Sequence, residues 1–173
     1  SVDYYLSLGN TENHGDLRTR TDRHGNGKMK LVDISFYNKN DKQVSEVISG
    51  ESLKIKFQFE KYDDDIDFRN FFIGVNFKDE QEQTVLNYLS DEMGSTFSGF
   101  NHGNEIMLEV PKIYLRAGSY DLRVQIGLGT GRESRFDSIE KAASIQVLQG
   151  KIWDNGTLNR PGNFAVLPGE FKS

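Results

Sequence analysis

Residues 53–60 read Leu53-Lys-Ile-Lys-Phe-Gln-Phe-Glu60, and this stretch decides the fold class. Its apolar residues occupy every second position, with Lys, Gln or Glu between them. Successive side chains of a β-strand point to opposite faces of the sheet, so the alternation indicates one buried face and one wet face. The stretch therefore predicts a half-buried strand of a layered β-protein.

The same alternation recurs along the rest of the chain. Further strands are predicted at residues 29–37, 44–48, 71–77, 84–89, 106–110, 120–128 and 143–148. The pattern changes phase between Leu31 and Val32, which predicts a β-bulge. The segment Asp137-Ser138-Ile139-Glu140 resembles a capping box and predicts a single helical turn. About eight strands separated by turn residues predict an all-β, two-sheet antiparallel sandwich.

The chain divides into an arm and one domain. Residues 1–27 are polar and rich in Gly and Asn, which is typical of a linker or N-terminal arm. We expect the arm to be either loosely ordered or docked through the apolar patch formed by Tyr4, Tyr5, Leu6 and Leu8. Residues 28–173 are predicted to form the β-sandwich domain, with a C-terminal tail from about residue 150. The start at Ser1, without Met, suggests a piece of a longer protein.

Composition excludes several classes of protein. The 173 residues carry 21 basic and 26 acidic side chains, a formal net charge of −5, and no dense basic cluster. Phosphates would repel such a domain, so no nucleic-acid partner is expected. The chain contains no Cys, which excludes disulfides and thiolate metal sites. No apolar run approaches 18 residues, the length of a membrane-spanning helix.

Candidate catalytic and metal sites are weak. His14, His24 and His102 all fall in loops rich in Gly and Asn, without a nucleophile or second ligand at a suitable spacing. The run Asp63, Asp64, Asp65 and Asp67 is expected to be a solvated loop rather than a calcium site, because the EF-hand pattern fails at Gly74. We therefore predict neither catalytic nor metal-ligating residues.

Two strand faces offer a better candidate for binding. If alternate residues of strands 71–77 and 120–128 are buried, then Phe72, Asn76, Arg123 and Gln125 point outward. The two strands are expected to be neighbours in one sheet of a Greek-key sandwich. An aromatic ring, planar polar groups and nearby glycines would form a shallow trough that suits a sugar. The outward face of residues 54–60 has only an ordinary solvated pattern.

Several segments together resemble one bacterial family. They are Arg23-His-Gly-Asn-Gly-Lys-Met-Lys-Leu-Val-Asp-Ile, Val47-Ile-Ser-Gly-Glu-Ser-Leu-Lys-Ile, Phe72-Ile-Gly-Val, Leu115-Arg-Ala-Gly-Ser-Tyr-Asp-Leu, Phe136-Asp-Ser-Ile-Glu-Lys-Ala-Ala and Arg160-Pro-Gly-Asn-Phe-Ala-Val-Leu-Pro. In order and spacing they resemble the C-terminal domain of the ATP-binding subunit of O-antigen polysaccharide ABC transporters, the Wzt family. The likeness runs from about Arg23 to the end, but the family often closes on a Trp where this chain has Phe171.

The resemblance implies an immunoglobulin-like or jelly-roll sandwich that binds carbohydrate and catalyses nothing. It implies a homodimer at the cytoplasmic side of the inner membrane, joined to a transmembrane transporter subunit through an ATPase domain elsewhere in the parent chain. ATP would bind that other domain, and no cofactor is expected here. The domain would recognise the non-reducing end of lipid-linked O-antigen polysaccharide. For an anionic terminal cap, the natural partners would be Arg123, or Arg132 and Arg135.

Two other functions remain open from the sequence. The chain could be an extracellular adhesion or structural sandwich whose edges pair with protein. It could also be the ancillary sugar-binding module of a glycan-active enzyme. An adhesion or structural sandwich should bind nothing on a glycan array. A hydrolase domain encoded beside this one in the parent gene would indicate the sugar-binding module.

Overall fold

The computed structural model describes residues 16–100 and 104–173, which form a sandwich of two β-sheets. The strands are β1 (Arg23–His24), β2 (Met29–Tyr37), β3 (Gln43–Val44), β4 (Glu46–Ile48), β5 (Leu53–Lys61), β6 (Phe71–Lys78), β7 (Thr84–Leu89), β8 (Glu105–Val110), β9 (Gly118–Leu128) and β10 (Arg135–Leu148). Short 3₁₀ turns at Leu17–Thr19 and Phe68–Asn70 precede β1 and β6. No helix in the described ranges is long and apolar enough to cross a bilayer.

Sheet A has six strands and sheet B has four. In sheet A the order is β1-β10-β9-β6-β7, and β4 also pairs with β10. In sheet B the order is β3-β2-β5-β8. All pairings are antiparallel except the short parallel contact of β4 with the end of β10. The prediction of an all-β, two-sheet sandwich is confirmed.

Alternation along β5 places one face of the strand in the core. Leu53, Ile55, Phe57 and Phe59 are each at most 1% exposed, while the residues between them are only partly buried. At one end of the core, Phe59, Phe68 and Phe71 pack with further rings in edge-to-face and tilted pairs. Such pairs add to the stabilisation that comes from removing apolar area from water.

The predicted bulge in β2 is confirmed. The register of β2 against β5 shifts between Leu31 and Asp33. An extra residue in one strand leaves backbone groups that the ladder cannot pair. Asp137 of β10 accepts a 2.9 Å hydrogen bond from the Leu31 N–H, and Arg23 of β1 donates a 3.0 Å bond to the Leu31 carbonyl. These two hydrogen bonds therefore connect sheet A to sheet B beside the bulge.

Two details of the predicted strands are wrong. The helical turn expected at 137–140 is part of β10, because Asp137, Ser138 and Ile139 pair with β9, and the last two also pair with β1. The single strand expected at 44–48 is split between the sheets at Ser45, since β3 pairs with β2 and β4 pairs with β10. An additional short strand, β1, lies inside the predicted arm, where Leu17 is also buried. The apolar patch at residues 4–8 lies outside the described residues.

The tail from residue 149 packs beside the segment that precedes β9. Val166 N–H donates to the Tyr114 carbonyl at 2.8 Å, and Gly162 N–H donates to the Ala117 carbonyl at 3.1 Å. The Tyr120 hydroxyl, near the start of β9, lies 2.6 Å from the Arg116 carbonyl oxygen and 3.3 Å from the Gly162 carbonyl oxygen of the tail. These bonds hold the tail against the sandwich without adding a full strand.

Candidate functional site

Strands β6 and β9 lie side by side in sheet A, as predicted. In their antiparallel register Phe72 is opposite Gly127, Gly74 is opposite Gln125, and Asn76 is opposite Arg123. Residues at even positions of β6 and odd positions of β9 therefore share the outer face of the sheet, away from sheet B. The structure thus brings Asn76, Arg123 and Gln125 together. The expectation that Gln125 is accessible to a ligand is wrong, because it is only 9% exposed and its side chain bonds to Arg123.

The Arg123 guanidinium is the centre of this outer face. It donates to Glu140 Oε1 at 2.9 Å, to Asn76 Oδ1 at 3.2 Å and to Gln125 Oε1 at 3.0 Å, using all three nitrogens. Its side chain is 23% exposed, so these bonds form at the boundary of solvent. Because each nitrogen has an acceptor, the guanidinium plane is held in one orientation.

Glu140 joins two cations on this face. Its other oxygen lies 2.9 Å from Lys78 Nζ. The hydrogen bond from Lys78, followed by that from Arg123, keeps the pKa of the Glu140 carboxyl below its usual value. Glu140 therefore stays ionised in mild acid, and its charge is already shared by two partners.

The expectation that Phe72 presents an exposed ring is wrong. Phe72 is only 4% exposed. A Cβ built on Gly74 would lie 3.1 Å from Phe72 Cζ and 3.2 Å from Leu89 Cδ2, so the ring covers the position that a side chain at Gly74 would fill. A ring buried to this extent is removed from water and cannot stack on a ligand.

The trough expected over the two glycines is also filled. A Cβ on Gly127 would lie 2.6 Å from the Ser134 carbonyl oxygen and 3.0 Å from Arg135 Cα. The turn between β9 and β10 therefore crosses directly over Gly127, while Phe72 covers Gly74. These glycines serve close packing rather than ligand access.

An open cleft of about 500 Å³ lies beside the Arg123 network. We call it the arginine cleft, and its lining residues are His24, Gly25, Arg123, Arg132, Arg135 and Glu140. It thus contains three of the six predicted site residues.

Three separate parts of the chain build the arginine cleft. Strand β1 supplies His24 and pairs with β10. The turn after β1 also contacts β10, because the Asn26 N–H donates a 3.0 Å hydrogen bond to the Arg135 carbonyl. The β9–β10 turn supplies Arg132, and β9 and β10 supply the remaining side chains. Sequence reasoning missed His24 and Glu140 as neighbours of Arg123, because no local pattern links residues so far apart in the chain.

Arg132 and Arg135 are free of protein partners. Across residues 16–100 and 104–173, neither side chain makes a hydrogen bond or an ion pair, and the Nε atom of Arg135 is buried without an acceptor. Buried polar atoms in folded proteins nearly always have a partner. The cleft therefore holds guanidinium donors that protein atoms leave unused.

The acidic run serves local structure. Asp63 accepts a 2.9 Å bond from Asp65 N–H and lies 3.3 Å from Lys28 Nζ, and these contacts lower its pKa. Asp67 caps the 3₁₀ turn before β6. No group of three His, Cys, Asp or Glu that could hold a metal ion occurs among the described residues. His14 and His102 lie outside them.

A second hollow, in the tail, is aromatic. Trp153 and Phe171 line it together with Gly169 and Glu170, and its volume is about 540 Å³. Trp153 is 44% exposed and donates its indole N–H to the Gly169 carbonyl at 2.7 Å. Exposed rings of the kind expected at Phe72 thus occur in the tail instead.

A model of the family described as the Wzt C-terminal domain matches residues 20–159. The chain belongs to this family. All residues of the arginine cleft fall inside the matched range. Membership in the Wzt C-terminal domain family implies a carbohydrate-binding role in O-antigen transport and a binding domain rather than a catalytic one.

The fold agrees with a solved structure of the same family. A crystal structure of the C-terminal domain of Wzt is 14% identical in sequence, with a TM-score of 0.63 over 88% of this chain and 96% of that one. The soluble domain of PmoD from Methylocystis sp. ATCC 49242 (Rockwell) is 12% identical, with a TM-score of 0.40 over 68% and 91% of the two chains. The search of curated proteins found no match.

Proposed function

We propose that this Wzt C-terminal domain binds the non-reducing end of lipid-linked O-antigen polysaccharide, capped or uncapped, and so selects it for export. The observation that carries the proposal is the ordered Arg123 network beside an open cleft, in a chain of a carbohydrate-binding family. Sugar hydroxyls need planar polar groups held at fixed positions. Arg123, held in place by Asn76, Gln125 and Glu140, provides such a group at the wall of the cleft.

The size of the site limits the affinity. A few hydrogen bonds at a partly exposed surface must compensate for the freedom that the glycan loses on binding. We expect dissociation constants on the order of micromolar to millimolar. Weak binding suits a domain that inspects a polymer and then releases it.

The proposal extends to the wider assembly. The domain would act as a homodimer, at the cytoplasmic side of the inner membrane. An ATPase domain elsewhere in the parent chain would bind ATP and contact the transmembrane transporter subunit. The family match over residues 20–159 supports this arrangement.

Titration calorimetry with polysaccharide from the source strain tests the function, using material with and without its terminal cap. Arg123→Ala should abolish detectable binding, because it removes the group that orients Asn76, Gln125 and Glu140 together. The melting temperature should fall by no more than about 2–4 °C, since half-exposed ion pairs contribute little to stability.

The matched control is Arg160→Ala, because Arg160 is an exposed arginine of the tail. Its backbone carbonyl accepts a hydrogen bond from Arg116, and this bond does not depend on the Arg160 side chain. This variant should bind like the unmodified chain. Unchanged binding by Arg123→Ala would overturn the assignment of the site. The absence of binding to any form of the polysaccharide would overturn the function.

A further inference from the structure

The arginine cleft has an excess of positive charge that the protein leaves uncompensated. Three arginines and one carboxylate line it, and that carboxylate, Glu140, already serves Arg123 and Lys78. Glu133 belongs to the same turn but does not line the cleft. The whole chain has a formal charge of −5, so this local excess runs against its general balance.

Backbone hydrogen bonds fix the turn that carries the two free arginines. Leu128 N–H donates to the Ser134 carbonyl at 3.0 Å, and Ser134 Oγ donates to the Gly131 carbonyl at 3.1 Å. The Arg135 carbonyl in turn accepts the bond from Asn26. Arg132 and Arg135 therefore project from an ordered frame, which reduces the entropy lost when they bind a ligand.

A guanidinium that lines an open cleft without a protein partner, as those of Arg132 and Arg135 do, is available to an acceptor on a ligand. Of the common ligand groups, a carboxylate or phosphate oxygen satisfies it best, because the charge-assisted bond is shorter and stronger than a neutral one. Two free guanidiniums that line the same cleft can both donate hydrogen bonds to such a group. A neutral sugar hydroxyl would leave the charge of both arginines uncompensated.

We propose that Arg132 and Arg135 form a subsite for an oxyanion carried by the glycan, either a carboxylate or a phosphate ester of an acidic sugar. The inference rests on the proposed function and narrows its ligand to acidic polysaccharide. Three of the five N–H groups of Arg123 already bond to protein acceptors, so Arg123 forms the wall of the subsite, and Arg132 and Arg135 are its binding groups. The pyrophosphate of a lipid carrier has similar chemistry, and we assign the subsite to the glycan.

The test uses delipidated polysaccharide from the source strain, which carries no carrier pyrophosphate. Half of it is treated by carboxyl reduction and dephosphorylation to remove acidic groups. The unmodified chain should bind the treated polymer at least about tenfold more weakly than the native one, as expected when a charge-assisted bond is lost. Raising NaCl from about 50 to about 500 mM should weaken only the binding of the native polymer.

The double variant Arg132→Ala/Arg135→Ala should bind both polymers with the weaker affinity. Its melting temperature should stay within about 2–4 °C of that of the unmodified chain, because neither side chain has a hydrogen bond or an ion pair to lose. Arg160→Ala again serves as the control for loss of an exposed arginine. A parallel titration with glucose 6-phosphate, glucuronate and glucose, followed by amide chemical shifts, should show shifts at the cleft for the two acids alone.

The outcomes separate the inference from the function on which it rests. Equal binding of native and treated polymer would overturn the oxyanion subsite and leave the proposed function standing. A native polymer without acidic groups that still binds would do the same. Cleft shifts with the two acidic sugars but no binding of any polymer would support the subsite and overturn the function. Silence in every experiment would overturn both.

Discussion

Arg23 and Asp137 form a buried pair whose side chains hydrogen-bond the backbone of β2. Their side chains are 11% and 3% exposed, and Arg23 Nε lies 3.6 Å from Asp137 Oδ1. Both side chains hydrogen-bond the backbone of Leu31, which lies beside the register shift of β2. Arg23 also donates to the Leu17 carbonyl at 3.0 Å, which holds the segment before β1 on the sandwich.

Removing the carboxylate should strongly destabilise the fold. Asp137→Ala would leave the Leu31 N–H unpaired and the buried Arg23 charge without its counterion. A loss of about 3–5 kcal/mol in the free energy of unfolding is expected for breaking such a pair. Urea denaturation measures it, with Asp154→Ala in the exposed tail as the control. A loss below about 1 kcal/mol would show that the pair is not structural.

The same carboxylate makes stability depend on pH. Burial raises the pKa of Asp137, against the opposing effects of Leu31 N–H and Arg23. A group whose folded-state pKa lies above its unfolded value stabilises the fold fully only below the unfolded value. That contribution is lost as the pH rises through the folded value.

The unmodified chain should therefore gain stability relative to Asp137→Asn, which cannot titrate, as the pH falls from about 7 to about 4. Urea unfolding at both pH values measures the difference between the two proteins. A difference that shrinks in acid would contradict the raised pKa.

At the scale of elements, strand β10 organises sheet A and the candidate site. Over its 14 residues it pairs with β9, while β1 and β4 contact its other edge at different points. Its register against β9 shifts between Ile139 and Ala143. Arg123 lies opposite this irregularity, so Glu140 can turn towards it. The bulge in β10 is therefore what completes the Arg123 network.

The turn that follows β9 depends on Gly127. A Cβ there would meet backbone of Ser134 and Arg135, which cannot move without opening the turn. Gly127→Ala should lower the free energy of unfolding by about 1–3 kcal/mol, as overpacking does. It should also shift the amide signals of residues 129–135, observed by two-dimensional NMR.

The matched control for this substitution is Gly99→Ala, since a Cβ at Gly99 would meet nothing within 4 Å. Equal stability of the two variants would show that the turn does not rest on Gly127.

At the scale of the whole molecule, the alternating pattern predicted which residues form the core between the two sheets better than it predicted which outward residues are exposed. The pattern at residues 53–60 reports burial on one side, and the structure confirms it because the core imposes that period. That β6 and β9 are neighbours in one sheet could be predicted from the usual strand order of Greek-key sandwiches. Phe72 could not be placed, because its burial depends on a glycine two residues away and on Leu89 of β7.

The arginine cleft was predictable only in part. Arg123, Arg132 and Arg135 stand near one another in the chain, so a shared site could be expected. His24 comes from a two-residue strand with no period to detect, and Glu140 from a bulge whose sequence favours a helical turn. Contacts between distant segments depend on tertiary packing, which local patterns do not encode.

The turn between β9 and β10 is exposed from Thr130 to Glu133, and none of these residues belongs to the hydrophobic core. Its composition can change without disturbing the interior, provided the glycine beneath it stays. A graft of a few positions at this loop could thus give the same scaffold a preference for different cargo. Folding and choice of ligand would then be free to vary independently.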